Sequence, residues 1–373
     1  MFLQQLIRIP SVNPDHATPT RPGLSGEKAM ADFLASHLTE AGAEVTLEEI
    51  QPSRPNLIAR FAPLDGRPRI LLGPHLDTVS VTGMIIDPFS GEIRDGKIWG
   101  RGASDTKGPM AAMVEALLEN KRILADLPVA VDFVAFMGEE ASQHGSKHFA
   151  RHHAKHYRFA IVGEPTSMDI VHITKGSLWA TLTATGVPAH SSQPHLGDNA
   201  ILKLSRSLLD LQEYLSPALA AYANPILGPS TINIGTVNGG TAPNIVPDCA
   251  TAQIDIRLTP ELHSSGGALQ LLREAIAQLR LPLEISYAHE NPPMETDPQD
   301  PYIRKLLSTH VGTRLVGAPW FSDAAHLSAA GLPAICIGPG SIAQAHTKDE
   351  YIEIAAYEEG RAFFSTFIRS LAD

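Results

Sequence analysis

The feature that most limits how this chain can fold is a set of short segments in which nearly every residue is apolar, without alternation between apolar and polar residues. The segments "RILLG" (69–73), "VAVDFVAFMG" (129–138) and "FAIVG" (159–163) are apolar at nearly every residue, as expected of strands covered on both faces of a sheet. The apolar residues of "KGPMAAMVEALLENKRIL" (107–124) have helical spacing. A further helix is predicted to begin directly after Ser25, which is its expected N-cap. Strands and helices that alternate in this way predict a layered α/β domain, with a central mixed sheet flanked by helices.

The pattern changes near Gly176. The segments that follow are predicted in turn to be a strand, a helix, two strands, a helix and a strand, and they span 177–186, 198–215, 230–237, 250–258, 266–279 and 283–290. This order predicts a ferredoxin-like α+β domain. We therefore expect residues 1–176 and 290–373 to form one domain, with residues 177–289 inserted as a second one. Asp198 is the expected N-cap of the first inserted helix.

Composition excludes several classes of function. The chain of 373 residues carries a net charge of −11 and no long run of Lys or Arg, which argues against binding to nucleic acid or to anionic membranes. No apolar segment reaches the roughly 20 residues that span a bilayer, and the N-terminus lacks the features of a signal peptide. Two cysteines far apart, Cys249 and Cys336, form no disulfide framework. We expect a cytoplasmic protein.

Acidic residues and histidines follow the predicted strands. They occur in the segments "GPHLDTV", "GRGASDTKG", "GEE", "VGEPT" and "GPGSIAQAHTKDEY", and comprise His75, Asp77, Asp105, Glu139, Glu140, Glu164 and His346. Ligands of open α/β sheets bind beyond the carboxyl ends of the strands. Histidine and carboxylate without cysteine suit a catalytic Zn²⁺, with Co²⁺ and Mn²⁺ as alternatives. Two histidines and three carboxylates can hold two such ions if one carboxylate bridges them.

Asp77 stands two residues beyond His75. In an extended strand both side chains point to the same face. Asp77 is therefore expected to accept a hydrogen bond from the ring of His75 and to fix its tautomer.

These motifs, together with "DIR" (255–257), resemble the dizinc family of aminoacylase, acetylornithine deacetylase, succinyl-diaminopimelate desuccinylase and glutamate carboxypeptidase. The resemblance covers nearly the whole chain. It implies that the inserted domain is a lid and dimerisation domain. It also implies hydrolysis of an amide bond by a metal-bridged water, with Glu139 as the general base, and a cis peptide bond after Asp105.

The resemblance also assigns the metal ligands. It gives His75 and Glu164 to one ion and Glu140 and His346 to the other, with Asp105 as the bridge. Adjacent side chains diverge, which explains how Glu140 can reach a metal while its neighbour, the general base, reaches the water.

Substrate contacts are expected from two places. In the inserted domain, His190 resembles the family's oxyanion-binding histidine, which dimeric members take from the partner subunit, and Asn244 and Arg257 match positions that hold the substrate's carboxylate. In the larger domain, the turn formed by Gly338, Pro339, Gly340 and Ser341 can offer backbone N–H groups to the same carboxylate. A homodimer is the expected assembly.

The expected substrate is an N-acyl amino acid or short peptide, and the acetylornithine deacetylase branch fits best. Glu164 supports this branch, because the carboxypeptidase and aminoacylase branches tend to have aspartate there. The alternatives are a succinyl-diaminopimelate desuccinylase, a di- or tripeptidase, and a non-catalytic binding protein. The complete ligand set argues against the last.

One further feature is a histidine stripe. Residues His144, His148, His152 and His156 recur every four residues, and His153 lies beside them. This spacing places four rings near one helical face. A third metal site and a solvated helix face are both compatible with the pattern, and the solvated face is the interpretation we prefer from sequence.

Overall fold

The computed structural model describes residues 1–15, 26–310 and 312–372, so the predicted cap Ser25 lies outside the described residues. The α-helices are Phe2–Ile7 (α1), Lys28–Glu40 (α2), Lys107–Asn120 (α3), His144–His152 (α4), Ala200–Ala220 (α5), Pro260–Ser264 (α6), Ala268–Gln278 (α7), Pro301–Thr309 (α8), Ala324–Ala329 (α9) and Ile354–Ser370 (α10).

The strands are Glu44–Gln51 (β1), Arg54–Arg60 (β2), Arg69–Gly73 (β3), Glu92–Arg94 (β4), Lys97–Trp99 (β5), Ala130–Ala135 (β6), Phe159–Val162 (β7), Ile170–Thr174 (β8), Gly176–Thr185 (β9), Thr231–Gly239 (β10), Cys249–Leu258 (β11), Glu284–Asn291 (β12), Met294–Glu295 (β13), Leu315–Ala318 (β14), Ala334–Cys336 (β15) and Tyr351–Glu353 (β16). Two compact units contain them. The large unit comprises 1–172, 295–316 and 322–373, and the small unit comprises 173–294 and 317–321.

A mixed sheet forms the centre of the large unit. Its strand order is β1-β2-β6-β3-β7-β15-β8-β13, with β14 beside β8. β3 is parallel to both β6 and β7, whereas β1 and β2 are antiparallel. Every residue of β3, β6 and β7 is buried. Helix α2 packs on β1 and β2, and buried residues of α3 and α10 belong to the same hydrophobic cluster as those of β3, β6 and β7. The prediction of a layered α/β domain is confirmed.

The parallel strands β3, β6 and β7 end at one edge of this sheet. Leu76 N–H donates to the carbonyl of Phe136 over 2.7 Å, and Gly163 N–H donates to the carbonyl of Gly73 over 3.3 Å. These bonds join the segments that follow the three strands. Their acidic and histidine residues are therefore brought to one place, as expected from the strand-end pattern.

The small unit is a four-stranded antiparallel sheet in the order β10-β11-β9-β12. Helices α5 and α7 cover it, and α5 buries a leucine stripe that includes Leu204, Leu211 and Leu215. The element order and pairing are those of the predicted ferredoxin-like fold.

The predicted cap of α5 was wrong by one residue. The side chain of Asn199, not Asp198, accepts the free N–H of Leu202 over 3.1 Å. The backbone of Asp198 is instead paired with Val187, and its carboxylate forms an ion pair with Lys203.

A three-stranded sheet in the order β16-β5-β4 was not predicted. Each of its strands has only three residues, too few to show alternation in sequence. Within the described ranges, no helix is both long and apolar enough to cross a membrane.

Candidate active site

His75 lies directly after β3 and is buried. Its Nε2 is 3.1 Å from Oδ1 of Asp105. Its Nδ1 is 3.0 Å from the backbone carbonyl of Asp77 and 3.4 Å from the carboxylate of the same residue. The carbonyl is thus the closer acceptor, so the Asp77 backbone shares the orienting role that we expected of its carboxylate.

The carboxylate of Asp77 has another task, which the sequence did not reveal. It accepts the backbone N–H groups of Glu139 and Glu140, each over 3.1 Å, and the side-chain amide of Asn13 over 2.7 Å. The backbone amides of Glu139 and Glu140 therefore both point to one buried anion. This fixes the backbone from which the two glutamate side chains diverge.

Asp105 lies between two histidines. Its Oδ1 faces His75, and its Oδ2 is 3.3 Å from Nε2 of His346. The same Nε2 is 3.1 Å from Oε2 of Glu140. The peptide bond from Asp105 to Thr106 is cis, as the resemblance implied. One carboxylate thus contacts both histidines, the arrangement that a bridging ligand requires.

Glu350 supports the loop that carries Asp105. Its buried carboxylate accepts from Arg101 Nη1 over 2.7 Å and from the backbone N–H groups of Gly102, Ser104 and Asp105 over 2.9 to 3.0 Å. Four charge-assisted bonds on one carboxylate fix the loop at its start. Sequence reasoning missed this residue, because an acid in "TKDEY" is typical of an exposed turn.

Burial dominates the electrostatics of the carboxylates. It raises the pKa of Glu139 and of Glu164 well above the ordinary value, and neighbouring acids raise them further. Burial and the charge of Asp105 raise the pKa of Glu140 to about 7. Asp105 is the exception, since hydrogen bonds from His346 and His75 outweigh burial and hold its pKa well below the ordinary range.

Two buried oxygens indicate that the site is built for a cation. Among the described residues, no hydrogen-bond donor reaches Oε1 of Glu140 or Oε1 of Glu164. A buried carboxylate oxygen without a partner is costly unless a cation is present. His75, Asp105 and Glu140 each offer one ligand atom, and these atoms lie within 4.8 Å of one another. The donor set of imidazole and carboxylate fits a divalent transition ion.

Three predicted substrate contacts belong to the small unit. His190 is exposed and its Nδ1 is 2.8 Å from the hydroxyl of Ser192. It is bridged to Ile245, next to Asn244. Arg257 is paired with Asp255 over 2.9 Å, near the end of β11. The structure therefore brings His190 and Asn244 together but leaves Arg257 at the other end of the ladder.

The turn from Gly338 to Ser341, predicted to bind the substrate carboxylate, has one of its backbone N–H groups bonded within the protein. The N–H of Gly338 donates to the hydroxyl of Thr166 over 3.2 Å. A side chain at Gly338 would meet the carbonyl of Glu164 at 2.7 Å, which explains the glycine. Gly340 and Ser341 are the remaining candidates for contact with a substrate carboxylate.

Asp323 is a further buried acid that sequence reasoning did not single out. It accepts a hydrogen bond from Ser146, and burial raises its pKa to about 7. Its charge acts on Glu139 and Glu164, so it belongs to the electrostatic surroundings of the site. Asp323 stands in "FSDAAH", directly before α9, where an aspartate is typical of a helix N-cap and gives no sign of a functional role.

The fold and the imidazole–carboxylate cluster are those expected of a metal-dependent hydrolase. The family model described as peptidase family M20/M25/M40 matches residues 71–370. The acetylornithine deacetylase of Proteus mirabilis (strain HI4320) is 31% identical, over 98% of this chain and 95% of the relative. The chain therefore belongs to the M20/M25/M40 peptidase family, and it is an enzyme that hydrolyses amide bonds.

Solved structures agree on the fold. An M20 family metallo-carboxypeptidase from Sulfolobus solfataricus is similar with a TM-score of 0.81 at 19% identity, covering 99% of this chain and 98% of that one. A tripeptidase from Staphylococcus aureus has a TM-score of 0.78 at 20% identity, covering 100% and 97%. At these identities the likeness concerns the architecture.

Replacing Glu350 by glutamine is expected to destabilise the metal-free protein by about 3 kcal/mol, because it leaves the buried charge of Arg101 without its partner. The measurement is urea unfolding. Asp349→Asn is the matched control, since it removes the same charge from the neighbouring, partly exposed residue, and it should stay within about 0.5 kcal/mol of the native chain. Equal effects of the two variants would contradict the role given to Glu350.

The metal-free protein is expected to lose stability as pH rises from about 5 to about 9. The pKa of Glu140 is raised to about 7 and that of His346 to about 10, so these two groups bind more protons in the folded state than in the unfolded state over this range. Stability therefore falls with increasing pH. A metal ion bound by Glu140 and His346 would displace these protons, so the rise in Tm on adding Zn²⁺ should be larger at pH 8.5 than at pH 6. An equal rise at both values would contradict the proposed exchange of protons for metal.

Proposed function

We propose that this enzyme hydrolyses the amide bond of an N-acyl amino acid, most specifically N-acetyl-L-ornithine. The observation that carries the proposal is the arrangement at Asp77. Its carboxylate holds the N–H groups of both Glu139 and Glu140. Glu140 then extends to His346 at 3.1 Å, while Glu139 is left as a second carboxyl group of raised pKa beside the ligands.

In this proposal His75 and Glu164 would hold one ion, Glu140 and His346 would hold the other, and Asp105 would be the ligand shared by both. Zn²⁺ is the first choice, with Co²⁺ and Mn²⁺ as alternatives. When bound, the ions lower the pKa of water and polarise the substrate carbonyl.

Glu139 takes a proton from the attacking water, whose oxygen forms a bond to the carbonyl carbon. The C–N bond then breaks, and Glu139 returns the proton to the leaving nitrogen. The products are a carboxylic acid and a free amine. A raised pKa suits Glu139 to both tasks, because a group that accepts and then donates one proton works best near the operating pH.

The identity of the substrate is inferred from similarity to known proteins. The Proteus mirabilis relative is an acetylornithine deacetylase and aligns along almost the entire chain, which supports deacetylation. The alternatives on the same site are succinyl-diaminopimelate desuccinylation and cleavage of di- or tripeptides. A non-catalytic binding protein is the least supported interpretation, since every candidate ligand and Glu139 are present. We also place the enzyme in the cytoplasm, in line with its two free cysteines.

The test is amine release from a panel of N-acetyl and N-succinyl amino acids and short peptides. We expect N-acetyl-L-ornithine to give the highest kcat/KM. Glu139→Gln should lower kcat by about 10²–10⁴-fold, the usual contribution of a general base, while still binding two ions per chain. Turnover of peptides alone would transfer the assignment to a peptidase, and full activity of the Glu139 variant would exclude its role.

The small unit supplies an argument for a homodimer. Arg257 and Cys249 lie near opposite ends of β11, about 26 Å apart in an extended strand. The pairing of His190 with Ile245 lies beyond the Cys249 end. This span exceeds the length of an N-acyl amino acid. We infer that His190 and Asn244 serve the substrate of one protomer and Arg257 that of its partner.

Mixing two inactive variants tests this inference. Chains with His190→Ala and chains with Glu139→Gln are each expected to be almost inactive. Unfolding and refolding them together should restore up to about a quarter of native activity, because half of the dimers are mixed and one of their two sites is intact. Absence of restored activity in a verified mixed dimer would contradict the shared arrangement.

A further inference from the structure

Three side chains outside the candidate active site converge on the surface of the large unit. Nε2 of His148 lies 3.0 Å from Oε1 of Glu48, and Nε2 of His153 lies 3.2 and 3.0 Å from Oε1 and Oε2 of the same carboxylate. One ligand atom from each residue lies within 4.8 Å of the other two. The group shares no residue with the active-site ligands.

The fold, rather than the helical repeat, creates this group. α4 ends at His152, and His153 is its C-cap with φ −122°, so His148 and His153 are five residues apart and converge only because the helix ends between them. Glu48 comes from β1, the edge strand of the central sheet. His144 and His156, which share the sequence spacing, are exposed.

Packing holds both rings in place. The ring of His153 lies 5.1 Å from that of the fully buried Phe149. The ring of His148 lies 4.3 Å from that of His152. These contacts restrict the two imidazoles before any ion arrives, which reduces the entropic cost of binding.

The spacing suits a small cation. Metal–ligand bonds of about 2.0–2.2 Å in a tetrahedron place ligand atoms about 3.3–3.6 Å apart. The contacts of Glu48 with His148 and His153, at 3.0 to 3.2 Å, are only slightly shorter. The side chains of Glu48, His148 and His153 are 27%, 32% and 21% exposed, so water can complete the coordination. Burial opposes ionisation of Glu48, but its hydrogen bond to His148 and the charge of His153 lower its pKa. The group thus offers two imidazoles and one carboxylate.

We propose that Glu48, His148 and His153 form a separate binding site for one divalent transition ion such as Zn²⁺, independent of the catalytic pair. An ion here joins the edge strand β1 to the end of α4. The start of α4 follows the turn that carries Glu139 and Glu140, so the ion stabilises the element next to the catalytic turn. The competing explanation is that Glu48 merely accepts hydrogen bonds from two imidazoles.

The experiment is equilibrium dialysis of the metal-loaded enzyme against increasing Zn²⁺, with bound metal counted by elemental analysis. We expect one ion per chain in addition to those of the active site. His148→Asn and, separately, Glu48→Gln should weaken binding of this ion at least about tenfold, because even the loss of a group that only orients a ligand typically costs about 10–100-fold in affinity. His156→Asn is the matched control, because it removes an exposed histidine of the same stripe, and it should bind the additional ion normally.

A second readout separates coordination from hydrogen bonding. With Co²⁺ as the dialysed ion, the native chain and His156→Asn should gain visible absorption beyond that of the loaded active site, and His153→Asn should not. Circular dichroism verifies that each variant is folded. The proposal is overturned if the native chain takes up no additional ion. It is equally overturned if the His148, His153 and Glu48 variants retain the ion, or if the His156 variant loses it as well.

Discussion

The structure depends on how the negative charge of a group of buried carboxylates is offset, because the fold removes these carboxylates from water. Glu139, Glu140 and Glu164 follow buried parallel strands, and Asp105 joins them at the same sheet edge. Burial makes ionisation of these groups unfavourable, and each raises the pKa of its neighbours. The histidines at the site offset only part of this charge. Cations at this site would offset the cost, so we expect metal binding to stabilise the folded chain at neutral pH.

Two other carboxylates have a structural role and fix the backbone near the site. Asp77 and Glu350 are buried as well, but each accepts hydrogen bonds from backbone N–H groups. Asp77 fixes the turn of Glu139 and Glu140, and Glu350 fixes the loop of Asp105. The enzyme therefore uses buried anions in two ways. One set has oxygens with no hydrogen-bond partner among the described residues and suits metal ions. The other set is satisfied by protein donors and positions the first.

The sequence was sufficient for the parts of this design that follow short-range rules. Apolar segments identified β3, β6 and β7, and helical spacing identified α3 and α5, because burial acts directly on residue type. The residues after those strands were located by their position, and their roles as ligands and general base were taken from the family resemblance. Glu350 and Asn13 were missed, since their roles depend on partners 245 and 64 residues away in the chain, and no local pattern records such a pairing.

The histidine stripe shows the same limit in another form. Its four-residue spacing is a property of an ideal helix, but α4 ends at His152, and the pair that meets Glu48 is set by that ending and by the edge strand beside it. Glu48 lies about a hundred residues earlier in the chain. Helix periodicity thus predicted a row of histidine rings, whereas the position at which the helix ends decides which two of these rings contact Glu48. Where chemistry depends on the end of an element, the end must be located before the site can be recognised.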